Sequence, residues 1–248
     1  IYCVSIEDNM IYAIDPESGE VETYLTEGPV GCAVLDQKGM ILEAEKSGIF
    51  RIDPRTKEKQ LVAKAHDDER IRYNDGKLDP KGRLLVGTMG YDDTYEGKAA
   101  LYAIEKDGTV RTVLDGLTLA NGMGWSPDGK TLYFIDTPTK KVGSYAYDPE
   151  TGEAIFEKYV IEITDGSNPD GMCVDMEGMI WVAQYGGEKV CRWDPESGGK
   201  LEEIRMPVKN VTSCCLGGEN LEYLYITTAK DGETQEALAG GLFRVKLS

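Results

Sequence analysis

The chain has 248 residues and sets 27 Lys plus Arg against 44 Asp plus Glu, a formal charge of −17. That balance argues against nucleic acid, whose binding rests on neutralising phosphates with Lys and Arg, and against an anionic membrane surface. No apolar run approaches the ~20 residues that span a bilayer, and 41% hydrophobic residues with 29 Gly and 10 Pro describe a turn-rich globular protein.

Two turn signatures recur along the chain. The strand-like Ile1-Tyr2-Cys3-Val4 and Ile11-Tyr12-Ala13-Ile14 lead into Asp15-Pro16-Glu17-Ser18-Gly19. Related turns follow at Asp53-Pro54-Arg55-Thr56-Lys57, at Asp107-Gly108 in shorter form, at Asp148-Pro149-Glu150-Thr151-Gly152 and at Asp194-Pro195-Glu196-Ser197-Gly198; the spacings are 38, 54, 41 and 46 residues. Leu242-Phe243-Arg244-Val245 is a sixth strand of this kind, without its turn. Between them, Asp36-Gln37-Lys38-Gly39, Asp79-Pro80-Lys81-Gly82, Ser126-Pro127-Asp128-Gly129 and Asp175-Met176-Glu177-Gly178 each lead into an apolar strand. Short strands joined by hairpin turns, repeating every roughly 40 to 50 residues without a helical period, predict an all-β, six-bladed β-propeller as one domain over 1–248. Ile1-Tyr2-Cys3-Val4 aligns with the strand after the hairpin turn. The first blade is therefore expected to lack its inner strand, with an amino-terminal segment missing before Ile1.

One histidine, His66, lies in the polar run Ala65-His66-Asp67-Asp68-Glu69-Arg70. Multi-histidine zinc sites are thereby excluded, and His66 reads as a surface residue outside any catalytic triad. The six cysteines form no C-x-x-C pair and mostly occupy apolar runs, as buried reduced thiols of a cytoplasmic protein do.

Five residues before the first position of each hairpin turn stand Gly31, Asn74, Asn121 and Asp170, the last three followed by Asp75-Gly76, Gly122 and Gly171. Inner strands of a propeller line its channel, so equivalent positions are expected to converge there. Two amide oxygens and a carboxylate make an oxygen-donor site for a hard divalent cation, with Asn74, Asn121 and Asp170 as metal ligands. The competing reading is that Asn-Gly and Asp-Gly are ordinary turn dipeptides.

The runs Arg72-Tyr73-Asn74-Asp75-Gly76-Lys77-Leu78-Asp79-Pro80-Lys81-Gly82-Arg83, Gly87-Thr88-Met89, Asn121-Gly122-Met123-Gly124-Trp125-Ser126, Pro169-Asp170-Gly171-Met172 and Ala239-Gly240-Gly241-Leu242-Phe243 resemble the senescence marker protein (regucalcin), gluconolactonase and luciferin-regenerating enzyme family. Thr212-Ser213-Cys214-Cys215 with Gly217-Gly218 is similar to its animal regucalcin branch. The resemblance implies a six-bladed propeller holding one divalent metal (Ca, Zn, Mg or Mn) and hydrolysing sugar lactones. It assigns Asn121 and Asp170 to the metal, Asn74 to the metal's surroundings and the substrate, Arg72 to substrate binding, and Glu96 to the mouth of the site. A further glutamate ligand is expected before Ile1. Glu27-Gly28-Pro29-Val30 imitates its motif but is out of register, and Glu27 reads as a loop residue between blades. On this reading Asp170 both ligates the metal and takes a proton from the attacking water, while Arg72 and Asn74 orient the sugar. The alternatives are a non-catalytic calcium-binding regulatory protein and a phosphotriesterase-like hydrolase.

Overall fold

A computed structural model describes residues 1–92, 95–230 and 236–247. Among these residues the strands form six antiparallel sheets, each a meander of strands consecutive in sequence. The chain divides into two compact units, residues 1–120 with 149–153 and residues 121–148 with 154–248.

In the first unit, β1 (Tyr2–Ser5), β2 (Met10–Ile14) and β3 (Val21–Leu25) form a three-stranded sheet. The second sheet is β4 (Val30–Leu35), β5 (Ile41–Glu45), β6 (Gly48–Ile52) and β7 (Lys59–Ala63), and the third is β8 (Ile71–Leu78), β9 (Leu84–Gly90), β10 (Ala99–Ile104) and β11 (Val110–Leu117). The second unit repeats the plan with β12 (Ala120–Trp125), β13 (Thr131–Asp136), β14 (Lys141–Asp148) and β15 (Glu153–Glu162). A fifth sheet holds β16 (Asn168–Val174), β17 (Ile180–Tyr185), β18 (Lys189–Trp193) and β19 (Lys200–Arg205), and the last holds β20 (Val211–Gly217), β21 (Tyr223–Thr228) and β22 (Leu242–Lys246). These are the six blades of a β-propeller, as the repeat predicts. No helix among the described residues is long and apolar enough to cross a membrane.

Local chemistry explains the recurrence. In the hairpin turns the aspartate carboxylate accepts two backbone N–H groups ahead of it: Asp36 from Lys38 and Met40, Asp79 from Lys81 and Arg83, Asp175 from Glu177 and Met179, all within 3.0 Å. Ser126 substitutes its hydroxyl, which accepts from Thr131 N at 3.0 Å. The fourth residue takes the left-handed conformation that glycine adopts without strain, as at Gly82 with φ 79°.

The alternation of each strand then sends one set of side chains to each neighbouring blade. Ile11, Tyr24, Val30, Ile41 and Ile52 fill the space between the first two sheets, and Cys32, Ala44, Ile49, Tyr73, Leu84 and Val86 that between the second and third. In the other unit, Tyr133, Ile135, Val142, Met172, Ile180 and Val182 join the fourth and fifth sheets, and Cys173, Trp181, Val190, Val211, Cys214 and Leu224 the fifth and sixth. Cys32, Cys173, Cys191 and Cys214 are buried free thiols as expected; Cys3 is half-buried and Cys215 is exposed.

Candidate metal and substrate site

The residues at the repeated register lie on the innermost strands, inside strands rather than in turns. Neither Asn74, Asn121 and Asp170 nor Gly76, Gly122 and Gly171 have positive φ. The glycines serve close approach instead. A Cβ at Gly122 would come within 2.6 Å of the Asp170 carbonyl oxygen, and one at Gly171 within 2.2 Å of Ser213 Oγ. In the first unit a Cβ at Gly76 would meet Cys32 Sγ at 2.6 Å. Each polar residue is followed by a glycine, directly or after Asp75, because the next strand presses against the backbone there.

A second feature coincides with the register. The pairing between first and second strands slips at Val30/Cys32 in β4, at Tyr73/Gly76 in β8, at Pro169/Met172 in β16 and at Val211/Ser213 in β20. The residues skipped by the ladder are Gly31, Asn74 with Asp75, Asp170 with Gly171, and Thr212. A bulge frees a residue from strict alternation and re-aims its side chain, so Asn74 in the first unit and Asp170 in the second each leave the ladder at the repeated register.

In the first unit, Arg72 donates from its terminal nitrogen to Asn74 Oδ1 and to the Tyr73 carbonyl, each at 2.9 Å. Asn74 is buried, and its Nδ2 donates to the Ala120 carbonyl at 2.9 Å. Arg72 and Asn74 are thus one hydrogen-bonded unit, with the guanidinium bracing the amide. Asp75, which the sequence reading passed over, accepts from Gly76 N at 2.8 Å, and burial pushes its carboxyl above the ordinary range.

In the second unit, Asn121 is buried and its Nδ2 donates to Thr137 Oγ1 at 2.8 Å. Thr137 in turn donates to the carbonyl of Pro169 at 2.8 Å, one residue before Asp170. The candidate ligand Asn121 on β12 is therefore joined through one hydroxyl to the backbone of β16 just before Asp170. Thr137 opens a 3₁₀ turn, Thr137–Thr139, that follows β13 directly. Nothing in Asp136-Thr137-Pro138-Thr139 beyond a turn signal marks that role in the sequence.

The donors offered by Asn121 and Asp170 are oxygens, which suit a hard cation such as Ca²⁺, Mg²⁺ or Mn²⁺. Among the described residues no group of three or more His, Cys, Asp or Glu side chains gathers as metal ligands would. The pair fits such an ion in donor type and brings a single carboxylate. Glu27 is exposed in the loop between β3 and β4, with its backbone N–H donated to Glu45 Oε2 at 2.8 Å, so it is a loop residue as expected. Glu96 is exposed beyond β9; Asp93 and Thr94 of its loop lie outside the described residues.

His66 needs correction. It is half-buried rather than on the surface, its ring centroid 4.8 Å from that of Tyr73, and it lines a cleft of about 300 Å³ with Lys46, Ser47, Lys64 and Asp68. The Tyr73 hydroxyl accepts from Ala65 N at 2.8 Å, drawing the loop before β8 down onto the ring. Burial pushes the imidazole pKa below its usual value.

Residues 1–230 match the SMP-30/Gluconolactonase/LRE-like region. The chain belongs to that family. It is 38% identical to regucalcin of Danio rerio over 89% of this chain and 75% of that protein. With human regucalcin it shares 33% identity over 98% of this chain and 85% of the relative. Among solved structures, the calcium-binding protein regucalcin of Agrobacterium tumefaciens superposes with a TM-score of 0.90 at 26% identity, covering 98% of this chain and 84% of that one.

Proposed function

We propose that this protein is a metal-dependent hydrolase that opens sugar lactones. Its membership of a family that includes gluconolactonases supports lactone hydrolysis as the activity. The observation that carries the metal-site reading is the Asn121–Thr137–Pro169 connection, which ties an amide and a carboxylate-bearing strand together at one register. A divalent cation bound there would act as a Lewis acid on the lactone carbonyl and acidify water.

The chain's own residues do the rest. Asp170 carries a carboxylate on a bulged, re-aimed segment and is the group that takes the proton from the attacking water. Arg72 holds Asn74 through Oδ1 and presents a fork of N–H donors, the type of group that grips sugar hydroxyls and a ring oxygen in fixed orientation. Asn74, locked at both ends of its amide by Arg72 and the Ala120 carbonyl, meets a ligand without first having to be ordered. Glu96 contributes charge at the mouth of the site.

A second reading is a calcium-binding protein without turnover, favoured by the description of the Agrobacterium relative as calcium-binding. The deciding experiment follows lactone hydrolysis on a panel of aldonolactones while calcium, magnesium, manganese or zinc is titrated into chelator-treated protein, with an organophosphate ester as control. Metal-dependent turnover of aldonolactones supports the lactonase. Calcium uptake with no turnover of any lactone leaves the binding protein, and faster turnover of the organophosphate makes the site a phosphoesterase.

A further inference from the structure

Thr137 has a single hydroxyl hydrogen, and the Pro169 carbonyl, 2.8 Å away, accepts only. That hydrogen is committed to Pro169. Towards Asn121, 2.8 Å away on its other side, the Thr137 oxygen therefore presents lone pairs. An amide facing lone pairs must turn its NH₂ to them, since its own oxygen would be repelled. The hydrogen-bond chain thus decides an amide orientation that side-chain shape alone leaves open. With Nδ2 held by Thr137, Oδ1 lies on the opposite branch of the planar amide and is aimed away from the threonine.

The threonine is itself firmly placed. It is buried, and the turn it begins is closed by Lys140 N donating to the Thr137 carbonyl at 3.0 Å and by Thr139 Oγ1 donating to the Asp136 carbonyl at 2.7 Å. Lys140 adopts φ 60°, and its ammonium donates to the Ser167 carbonyl at 2.9 Å and to Asn168 Oδ1. The turn is consequently fastened to the start of β16 at Ser167, Asn168 and Pro169, immediately before Asp170. Breaking the Thr137 hydroxyl contacts would remove the acceptor that faces Asn121 Nδ2 and one of the ties between the turn and the start of β16.

We infer that Thr137 is a positioning residue for the metal site: its hydroxyl selects the Asn121 rotamer that offers oxygen rather than NH₂ to a hard divalent cation, and couples that choice to the placement of Asp170. The inference rests on the metal-site reading proposed above. Partners that orient a ligand side chain typically change metal affinity by about 10–100-fold when removed.

The test is calorimetric titration of the chelator-treated 248-residue chain with calcium chloride, comparing the parent protein with Thr137→Val and Thr137→Ser. Valine keeps the shape and removes the hydroxyl; serine keeps the hydroxyl and removes the methyl. Calcium affinity is expected to fall about tenfold or more in Thr137→Val and to stay within about threefold of the parent in Thr137→Ser. Equal affinity in the parent and Thr137→Val overturns the role of Thr137 while leaving the metal site standing. An equal loss in both variants means that methyl packing matters, and also overturns it. Absence of binding by the parent with calcium, and equally with magnesium, manganese or zinc chloride, removes the metal-site reading itself. Should Thr137→Val not fold, nuclear Overhauser contacts in the metal-free parent decide the orientation: Asn121 Nδ2 protons close to the Thr137 side chain support it, and their absence overturns it.

Discussion

Asp170 is the one carboxylate that this chain brings to the repeated polar register, so its removal is the sharpest single-residue test. Asp170→Ala is expected to abolish metal-dependent lactone hydrolysis, a loss of at least about 10²-fold in kcat from the missing proton acceptor alone. Arg72→Ala should act mainly on KM, because Arg72 braces Asn74 and its proposed role is to hold substrate rather than to take part in proton transfer; steady-state kinetics separate the two. His66→Gln should leave kcat and KM within about twofold, since the imidazole's packing partner is the Tyr73 ring, outside the proposed proton path. A large loss would bring the histidine into the chemistry. Glu43 carries a different prediction. Its side chain and that of Glu45 are wholly buried, with Lys59 Nζ 2.7 Å from Glu43 Oε1 and 2.9 Å from Glu45 Oε2. Burial raises the Glu43 pKa from 4.5 to about 7, reinforced by Glu45 and Glu27 and opposed by Lys59. The folded state therefore holds a proton that the unfolded chain releases at lower pH. Stability from this group is full below pH 4.5 and is lost as pH rises to about 7, with a fall on the order of 3 kcal/mol. Urea unfolding at pH 5 and pH 7.5 should show that slope in the parent and a flatter one in Glu43→Gln.

At the level of elements, the turns were legible because they are built from local hydrogen bonds. Asp15 Oδ1 accepts from Glu17 N at 2.8 Å and Ser18 N at 3.0 Å, and Gly19 completes the turn at φ 75°. Asp53 repeats the contacts with Arg55 N at 2.8 Å and Thr56 N at 3.3 Å, but the glycine position holds Lys57 at φ 60°. A non-glycine residue there costs roughly 1–2 kcal/mol, while glycine's extra freedom in the unfolded chain takes back about 0.5–1 kcal/mol. The Lys57–Glu22 ion pair at 3.0 Å joins two half-exposed side chains and adds little. Lys57→Gly is thus expected to stabilise by about 0.5–1 kcal/mol, read as a higher denaturation midpoint with unchanged m. The bulges were not legible. They follow from how each inner strand meets its neighbour, and nothing in Pro169-Asp170-Gly171-Met172 alone distinguishes a bulge from a turn.

For the molecule as a whole, family and metal preference meet in its response to cations. A formal charge of −17 attracts divalent ions weakly over the whole surface. A specific site differs by stabilising the folded state alone. Calcium at one hundred times its dissociation constant and fixed ionic strength should add about 2.7 kcal/mol, raising Tm by about 5–10 °C for a chain of this size. Asp170→Ala should lose that rise and keep any general effect of ionic strength. A shift of the same size in both proteins would make the binding nonspecific.

The sequence by itself determined the all-β class, the six-fold repeat and the positions of Asn74, Asn121 and Asp170 within it, because turn chemistry and strand alternation act over a few residues; Arg72 was singled out by the family resemblance. It also placed Glu27 in a loop, from its register and from its departure from the family's glutamate motif. The contacts that give those positions their chemistry were decided only in three dimensions. Gly122 and Gly171 read as turn residues until the adjoining strands were found against their α-carbons. His66 read as solvated until Tyr73, seven residues on, came under its ring. Thr137 carried no signal because its partners, Asn121 and Pro169, lie 16 and 32 residues away, and a hydroxyl becomes an orienting group only when an amide and a carbonyl arrive on either side of it.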